Sequence, residues 1–381
     1  MTEDRATLMI AASETDSNLY YATRFVAPDP FIFLDIKGKR VMVMSDLEMD
    51  RARSQACVDG VLSYSEIERR IRAQGAADPG TADIVHAVLQ DHGIKRILVP
   101  GNFPYAYAER LQKFGYQLEA KKEPFFGRRA IKSEEEVGFI EATQRATELA
   151  VAAAHEALRA ASPREGILWL EGEPLTSERI KKLINVKLME QDCVAQHTIV
   201  AGGNQACDPH HEGAGPLPAE QSIIFDVFPR SGQTRYFADM ARTVVRGLAT
   251  PELKRLYQTV RDAQENAISK IRDGADGAAI HREICERFDS AGYKTGLVDG
   301  RMQGYFHGTG HGVGLDIHEH PRISRNGSIL QEGEVVTVEP GLYYPGLGAV
   351  RIEDMVLVTS DGCRNLTNYP KTFELDRDPA G

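Results

Sequence analysis

Four largely apolar, strand-like runs in this chain carry acidic residues where a buried strand tolerates them least. Asp226 lies in Ile-Ile-Phe-Asp-Val-Phe, Asp239 in Tyr-Phe-Ala-Asp-Met-Ala, Glu339 in Val-Val-Thr-Val-Glu-Pro and Glu353 in Val-Arg-Ile-Glu-Asp. A carboxylate withdrawn from water is costly unless an opposite charge or a metal meets it, so any fold that buries these runs must also bring a partner to each. Singly, each position reads as a strand-end carboxylate or one half of an ion pair. That account weakens when four such positions accompany a histidine-rich loop.

The loop is Phe306-His-Gly-Thr-Gly-His-Gly-Val-Gly-Leu-Asp-Ile-His-Glu319. Glycines at 308, 310, 312 and 314 allow close backbone approach and positive φ, and they disfavour a helix. His307 and His311 are therefore not the i, i+4 ligand pair of a zinc helix. A phosphate-cradling reading fails because no Lys-Ser/Thr follows the glycines. Asp226 and Asp239 sit on neighbouring strand signals joined by Arg230–Thr234, so both carboxylates can reach one cation. Glu339 and Glu353 repeat the arrangement, with Pro340-Gly341 and Pro345-Gly346 turning the chain between them. With His311 they form an oxygen-rich set for two divalent cations, suited to Mn²⁺, Co²⁺ or Zn²⁺. Two such ions share a bridging water, lower its pKa and clamp the oxyanion formed when it attacks. His210 and His211, in Asp208-Pro-His-His-Glu212, read equally as a solvent-exposed pair. His86, His92, His155, His197 and His281 read as structural.

A length of 381 residues calls for two domains, and the join falls near Pro124–Arg129, giving 1–127 and 128–381. The first part mixes a hairpin around Lys37-Gly38-Lys39 with βα patterns, as in a small α/β domain. After the join, Ser133 and Glu136 form a capping box that opens a long helix to about Ala161. Further helices are expected over Ser177–Gln191, Pro251–Asp273 and Ala278–Ala291. Strands are expected around 198–201, 222–228, 236–245, 335–339 and 350–358. The second domain is thus α+β, helices covering one face of an antiparallel sheet. The net charge of −10 and pI near 5.6 argue against nucleic acid or an anionic membrane as partner. The five scattered cysteines fit free thiols in a reducing compartment. With no secretory-type leader and no run long enough to span a bilayer, a cytoplasmic location is expected. The polar tail after about Phe373 is expected to be loosely held.

Taken together, these motifs resemble the metallopeptidases of the pita-bread fold, family M24, which includes methionine aminopeptidase, prolidase and aminopeptidase P. The resemblance spans roughly residues 130–375, with five separated motifs in the family order. It implies an α+β pita-bread catalytic domain at 128–381, in which an antiparallel sheet is covered by helices. Ahead of it, at 1–127, it implies a smaller α/β domain of the creatinase/prolidase type. By position, it implies that Asp226, Asp239, His311, Glu339 and Glu353 hold two divalent metal ions, Mn²⁺ foremost, with Asp239 and Glu353 bridging. His210 resembles the family's histidine near the scissile nitrogen, and His318 the one that hydrogen-bonds the carbonyl and the oxyanion. His307 resembles an outer histidine of the proline-specific members, and Glu339 the group that takes a proton from the metal-bridging hydroxide's parent water.

Arg351 and the separate N-terminal domain resemble the Xaa-Pro branch, dipeptidase (prolidase) or aminopeptidase P. That branch implies peptide substrates with proline in second position, and a homodimer. Arg351 either takes a substrate carboxylate or supports Glu353. The alternatives are a methionine aminopeptidase-like enzyme, a metal-free creatinase-like hydrolase, or a non-catalytic binding module on the same fold. The sequence departs from the family after Asp226. Where Asp-x-Gly is expected, the chain has Asp226-Val-Phe228-Pro229, and Asp239 follows 13 positions after Asp226. The hairpin tip is therefore bulkier and more basic, which bears on substrate size.

Overall fold

The computed structural model describes residues 4–375, which divide into two compact units, 4–127 and 128–375. The first unit is a six-stranded mixed sheet whose spatial order is Gly60–Ser63, Lys39–Met44, Phe31–Ile36, Arg5–Ala11, Arg96–Pro100 and Gln117–Lys121. Alternation along the strands supplies two cores. Ala6, Leu8 and Ile10 face one side, toward Ile84, Val85 and Leu89 of the helix Thr81–Leu89. Met9, Phe31 and Phe33 face the other, toward Leu19 and Phe25. Both faces are covered, so these strands read as almost unbroken apolar runs. The expected hairpin is present, with Ile36 opposite Lys39 and positive φ at Lys37 and Gly38, which matches a two-residue turn.

The second unit opens with the capped helix. Ser133 Oγ accepts from Glu136 N–H, and Glu136 returns a carboxylate to Ser133 N–H at 2.9 Å. This helix, Glu134–Ala160, and the helix Ser177–Met189 pack on an antiparallel sheet of Ile199–Gly202, Ile223–Val227 and Met240–Val244 through Ala150, Ala154, Ile184, Phe225 and Val244. A second layer repeats the plan. Helices Pro251–Ile268 and Gly277–Ser290 pack on strands Val335–Val338 and Asp354–Val358 through Leu256, Val260, Ile284, Val336 and Val356. Those two strands belong to a five-stranded sheet ordered Glu319–Ile323, Gly310–Gly312, Val335–Val338, Asp354–Val358 and Cys363–Asn365. This is the α+β arrangement expected, with helices on one face of each sheet, while Ile199, Ala201 and Ile224 on the other face of the first sheet pack with Tyr343 and Ala349.

Some element bounds differ from expectation. The third helix of this unit stops at Ile268, although the apolar pattern runs on to Ile271, which is buried outside the helix. The run expected as one strand, 350–358, breaks at Ile352–Glu353. Its first part, Gly348–Arg351, pairs with Gly341–Tyr344 as a separate hairpin. The segment expected to loosen after Phe373 is tied down as far as it is described. Phe373 O accepts from Val245 N–H, Leu375 N–H donates to Val245 O, and Leu375 is buried. The remainder of that tail, from residue 376, lies outside the described residues. Among the described residues no helix is long and apolar enough to cross a membrane.

Candidate metal centre

Strand register brings the acidic residues together. Asp226 pairs with Ala241 across the antiparallel ladder, and Asp239 lies two positions from Ala241, just before Met240–Val244. Side chains two apart share a face, so the two aspartates are diagonal neighbours. In the other sheet Val338 pairs with Asp354. The next step of that register sets Glu339 opposite Glu353, both one residue beyond their strands. A backbone bond from Glu353 N–H to Ala241 O, 3.0 Å, joins the two sheets at this point.

His311 reaches the same place from the strand Gly310–Gly312. Its glycine neighbours serve close approach, since a Cβ on Gly310 would stand 1.9 Å from Thr337 O and one on Gly312 2.3 Å from His320 O. Neither has positive φ, nor do Gly308 and Gly314, so the positive-φ part of the expectation for this loop does not apply. His311 N–H donates to Thr337 Oγ1 at 3.1 Å. Its Nδ1 faces Gly312 O at 3.2 Å, and a carbonyl only accepts, so Nδ1 carries the proton. The free lone pair on Nε2 then points at Glu339 Oε1, 3.5 Å away, and Asp239 Oδ2, 3.7 Å away. Ligand atoms of Asp239, His311 and Glu353 all lie within 4.8 Å of one another, and all three residues are buried.

The electrostatics are those of crowded, buried carboxylates. Burial, then the charges of Asp226 and Glu339, push the Asp239 carboxyl well above the usual range. Burial, then Asp239, does the same to Glu353. Burial raises Glu339 to about 8. Burial and the neighbouring His318 lower His311 to about 3, holding it neutral as a ligand requires. Asp226 gives one oxygen to Arg351 Nη2, while its buried Oδ1 has no hydrogen-bond partner in the protein. Four carboxylates, one tied imidazole and an orphaned carboxylate oxygen fit divalent metal ions with oxygen and nitrogen ligands.

These groups line a cavity of about 970 Å³, and His210, His307, His318 and Arg351 line it too. The His318 ring stands perpendicular to His311 with centroids 4.4 Å apart, and partial burial and Arg322 lower its pKa. His210 is exposed on its loop, where its backbone N–H meets Asp208 Oδ1. His307 belongs to a relay. Nδ1 donates to Gly308 O at 2.7 Å, so Nε2 accepts from Tyr343 Oη at 2.9 Å. Tyr343 in turn accepts from Arg351 Nη1 at 3.1 Å. Burial and Arg351 lower His307 to about 3. Of the two roles considered for Arg351, its hydrogen bonds reach Asp226, Tyr343 and Pro209 O, and none reaches Glu353.

Several contributors were not apparent in the sequence. Tyr343 is fully buried and links His307 to Arg351, but a tyrosine after a Pro-Gly turn gives no signal of this. Arg322 lines the cavity from the strand that follows His318. His197, expected to be structural, lines the cavity with its ring exposed and paired with Glu212 at 2.7 Å. His281, likewise expected to be structural, meets Thr309 Oγ1 at 2.9 Å, one layer behind the loop. The connection after Asp226 is a hairpin. Ala238 N–H reaches Pro229 O, Ser231 N–H reaches Tyr236 O, and Phe228 turns into the cavity wall.

Comparison with known proteins gives the context. The profile of metallopeptidase family M24 matches residues 140–360. The Xaa-Pro dipeptidase of Pyrococcus horikoshii is 31% identical over 281 residues, covering 72% of this chain and 74% of that protein. The Xaa-Pro dipeptidase of Pyrococcus furiosus is 31% identical over 275 residues, or 71% and 72%. The crystal structure of an X-Pro aminopeptidase from Thermotoga maritima superposes with a TM-score of 0.80 at 23% identity, covering 97% of both chains. An Xaa-Pro dipeptidase from Bacillus anthracis does so with a TM-score of 0.81 at 21% identity, covering 97% and 94%.

Proposed function

Since this chain belongs to metallopeptidase family M24, we propose that it is a two-metal exopeptidase that hydrolyses Xaa-Pro bonds, in dipeptides or at the N-terminus of longer peptides. The observation that carries the reading is the meeting of Asp226, Asp239, Glu339 and Glu353 with the Nε2 lone pair of His311 in one cavity. In this reading those five residues hold the ions, Mn²⁺ first among Mn²⁺, Co²⁺ and Zn²⁺. Bound there, the ions would supply Lewis acidity and a water acidified toward neutral pH.

The chain's own groups do the rest. Glu339, which lines the cavity beside the other carboxylates, is placed to receive a proton from the attacking water and to release it again. His318, neutral and at the cavity wall, presents an N–H to the oxygen of the scissile carbonyl as charge develops there. His210, which lines the cavity from its own loop, is the partner of the scissile nitrogen. His307, held through Tyr343 by Arg351, presents a fixed imidazole to the cavity. Arg351 also holds Asp226 by one oxygen, which leaves the other for a cation. A prolyl nitrogen has no N–H and its ring fixes φ, so such a bond needs a pocket of its own. Phe228 and Phe306 are apolar walls on which a ring can rest. The N-terminal unit is read as a creatinase/prolidase-type domain, and the protein as a cytoplasmic homodimer; light scattering should then give twice 42.1 kDa.

The test is hydrolysis of Ala-Pro, Ala-Pro-Ala, Met-Ala-Ala and Ala-Ala-Ala by metal-stripped protein reloaded with Mn²⁺, Co²⁺ or Zn²⁺. Cleavage confined to Xaa-Pro bonds, and abolished in Glu353→Ala, is expected. Ala-Pro alone would identify a dipeptidase, and Ala-Pro-Ala cut before proline an aminopeptidase. Release of methionine without proline preference, or no metal-dependent cleavage, would overturn the assignment.

A further inference from the structure

Behind the carboxylates, on the side of the sheets away from the cavity, lies a second polar cluster that the chemistry above does not use. Along Met240–Val244 the side chains alternate. Asp239 and Ala241 share the cavity face, while Arg242 shares the opposite face with the core residues Met240 and Val244. Likewise Glu353 belongs to the cavity, and Asp354 shares its face with the core residues Val356 and Val358. Arg242 and Asp354, both 1% exposed, meet at 2.8 Å between the two apolar cores.

Every donor of Arg242 is engaged. Nη1 donates to Ala241 O at 2.9 Å and to Glu353 O at 2.6 Å, Nη2 to Asp354 Oδ1 and Tyr369 O at 2.8 Å each, and Nε to Pro370 O at 3.2 Å. Asp354 Oδ2 accepts from Lys371 Nζ at 2.8 Å, Gln264 Nε2 at 3.1 Å and Asn365 Nδ2 at 3.2 Å. Gln264, wholly buried, also accepts from Lys371 Nζ at 2.7 Å and reaches Val338 O with a longer bond of 3.4 Å. Val338 immediately precedes Glu339. One cluster therefore holds backbone at or beside Glu353 and Glu339, and backbone two residues from Asp239, across two separate sheets.

We propose that Arg242, Asp354, Gln264 and Lys371 are positioning residues that set the spacing of Asp239, Glu339 and Glu353, and hence the affinity of the site for its second cation. The inference rests on the metal reading given above. A fully satisfied buried ion pair adds little net stability over apolar packing of the same volume, whereas it does fix geometry. Three carboxylates drawn from two sheets need such a fixture, because a misplaced ligand costs affinity long before it costs the fold.

The variants are Gln264→Leu, Lys371→Met, the charge-retaining Lys371→Arg, and the apolar exchange Arg242→Met with Asp354→Leu. Each full-length protein would be titrated with Mn²⁺ by calorimetry, loaded with Co²⁺ for its visible absorption, and melted metal-free. Gln264→Leu and Lys371→Met should bind the second Mn²⁺ about tenfold more weakly or worse, with a changed Co²⁺ band and a metal-free melting temperature within about 4 °C of the parent. Lys371→Arg should retain parental affinity, and the apolar exchange should lose the second ion while staying folded. If the exchange does not fold, the single variants decide. Parental stoichiometry, affinity and Co²⁺ spectrum in Gln264→Leu and Lys371→Met overturn the proposal. A lowered melting temperature with unchanged Mn²⁺ binding makes the cluster purely structural and overturns it as well. A parent chain that binds no Mn²⁺ instead removes the metal reading on which the proposal stands.

Discussion

At the scale of single residues, the centre is a set of charges that disagree until cations arrive. Burial and mutual repulsion raise the carboxyls of Asp239, Glu353 and Glu339, the last to about 8. A carboxyl whose folded pKa lies above its unfolded value holds a proton in the native state that the unfolded chain has released. Metal-free stability therefore falls as pH rises from about 4.5 toward 8. Ions displace those protons, and their affinity rises over the same range. The gap in melting temperature between Mn²⁺-loaded and chelator-treated protein should accordingly widen steadily from pH 5 to pH 8 in a thermal-shift series. A gap independent of pH would mean that these carboxylates do not bind the ion. The acidic positions were legible in the sequence because a charge inside an apolar run is conspicuous. Tyr343 and Arg242 were not, since what gives them a role is a partner far off in the chain, His307 for one and Asp354 for the other.

At the scale of elements, the chain was readable where pattern and punctuation agree. The capping box and the Lys37-Gly38 hairpin are local devices, and local rules describe them. The break in the strand expected over 350–358 left no trace in the sequence, because residues 350–353 stay buried through the bend and no glycine or proline marks it. The glycines of the histidine loop divide in a way only the structure reveals. Gly310→Ala would push a methyl group into Thr337 O at 1.9 Å, whereas a Cβ on Gly308 meets nothing closer than Ser324 Cβ at 3.4 Å. Gly310→Ala should therefore cost roughly 3 kcal/mol or more in urea denaturation and abolish Mn²⁺ binding. Gly308→Ala should stay within about 0.5 kcal/mol of the parent. Equal effects would show that the strand Gly310–Gly312 does not pack as closely as described.

At the scale of the whole molecule, the fold class follows from the two periodicities, but the pairing of strands does not. Ile199–Gly202 pairs with Ile223–Val227, and Asp226 meets Arg351 across 125 positions, a separation on which composition is silent. The overall charge has a consequence of its own. In the two-metal reading, two divalent cations would offset four of the ten net negative charges, and the loaded protein would still attract cationic substrates. The ratio of kcat/KM for Lys-Pro over Asp-Pro should fall as ionic strength rises from about 0.01 M to about 1 M, where the screening length contracts from ~30 Å to ~3 Å. A ratio that does not move would confine the discrimination to contacts within the pocket.

The clamp around Arg242 gathers the strand Met240–Val244, the backbone of Glu353 and the carbonyls of Tyr369 and Pro370. During synthesis these pieces leave the ribosome at ≈ 5–20 residues per second, so the last trails the first by several seconds. A growing polypeptide that has passed Asp354 but not reached Tyr369 has all its acidic ligands and the Arg242–Asp354 pair, yet still lacks the carbonyls of Tyr369 and Pro370 and the ammonium of Lys371. The clamp behind the carboxylates thus closes only once residues 369–371 have been made, well after the last acidic ligand, Glu353.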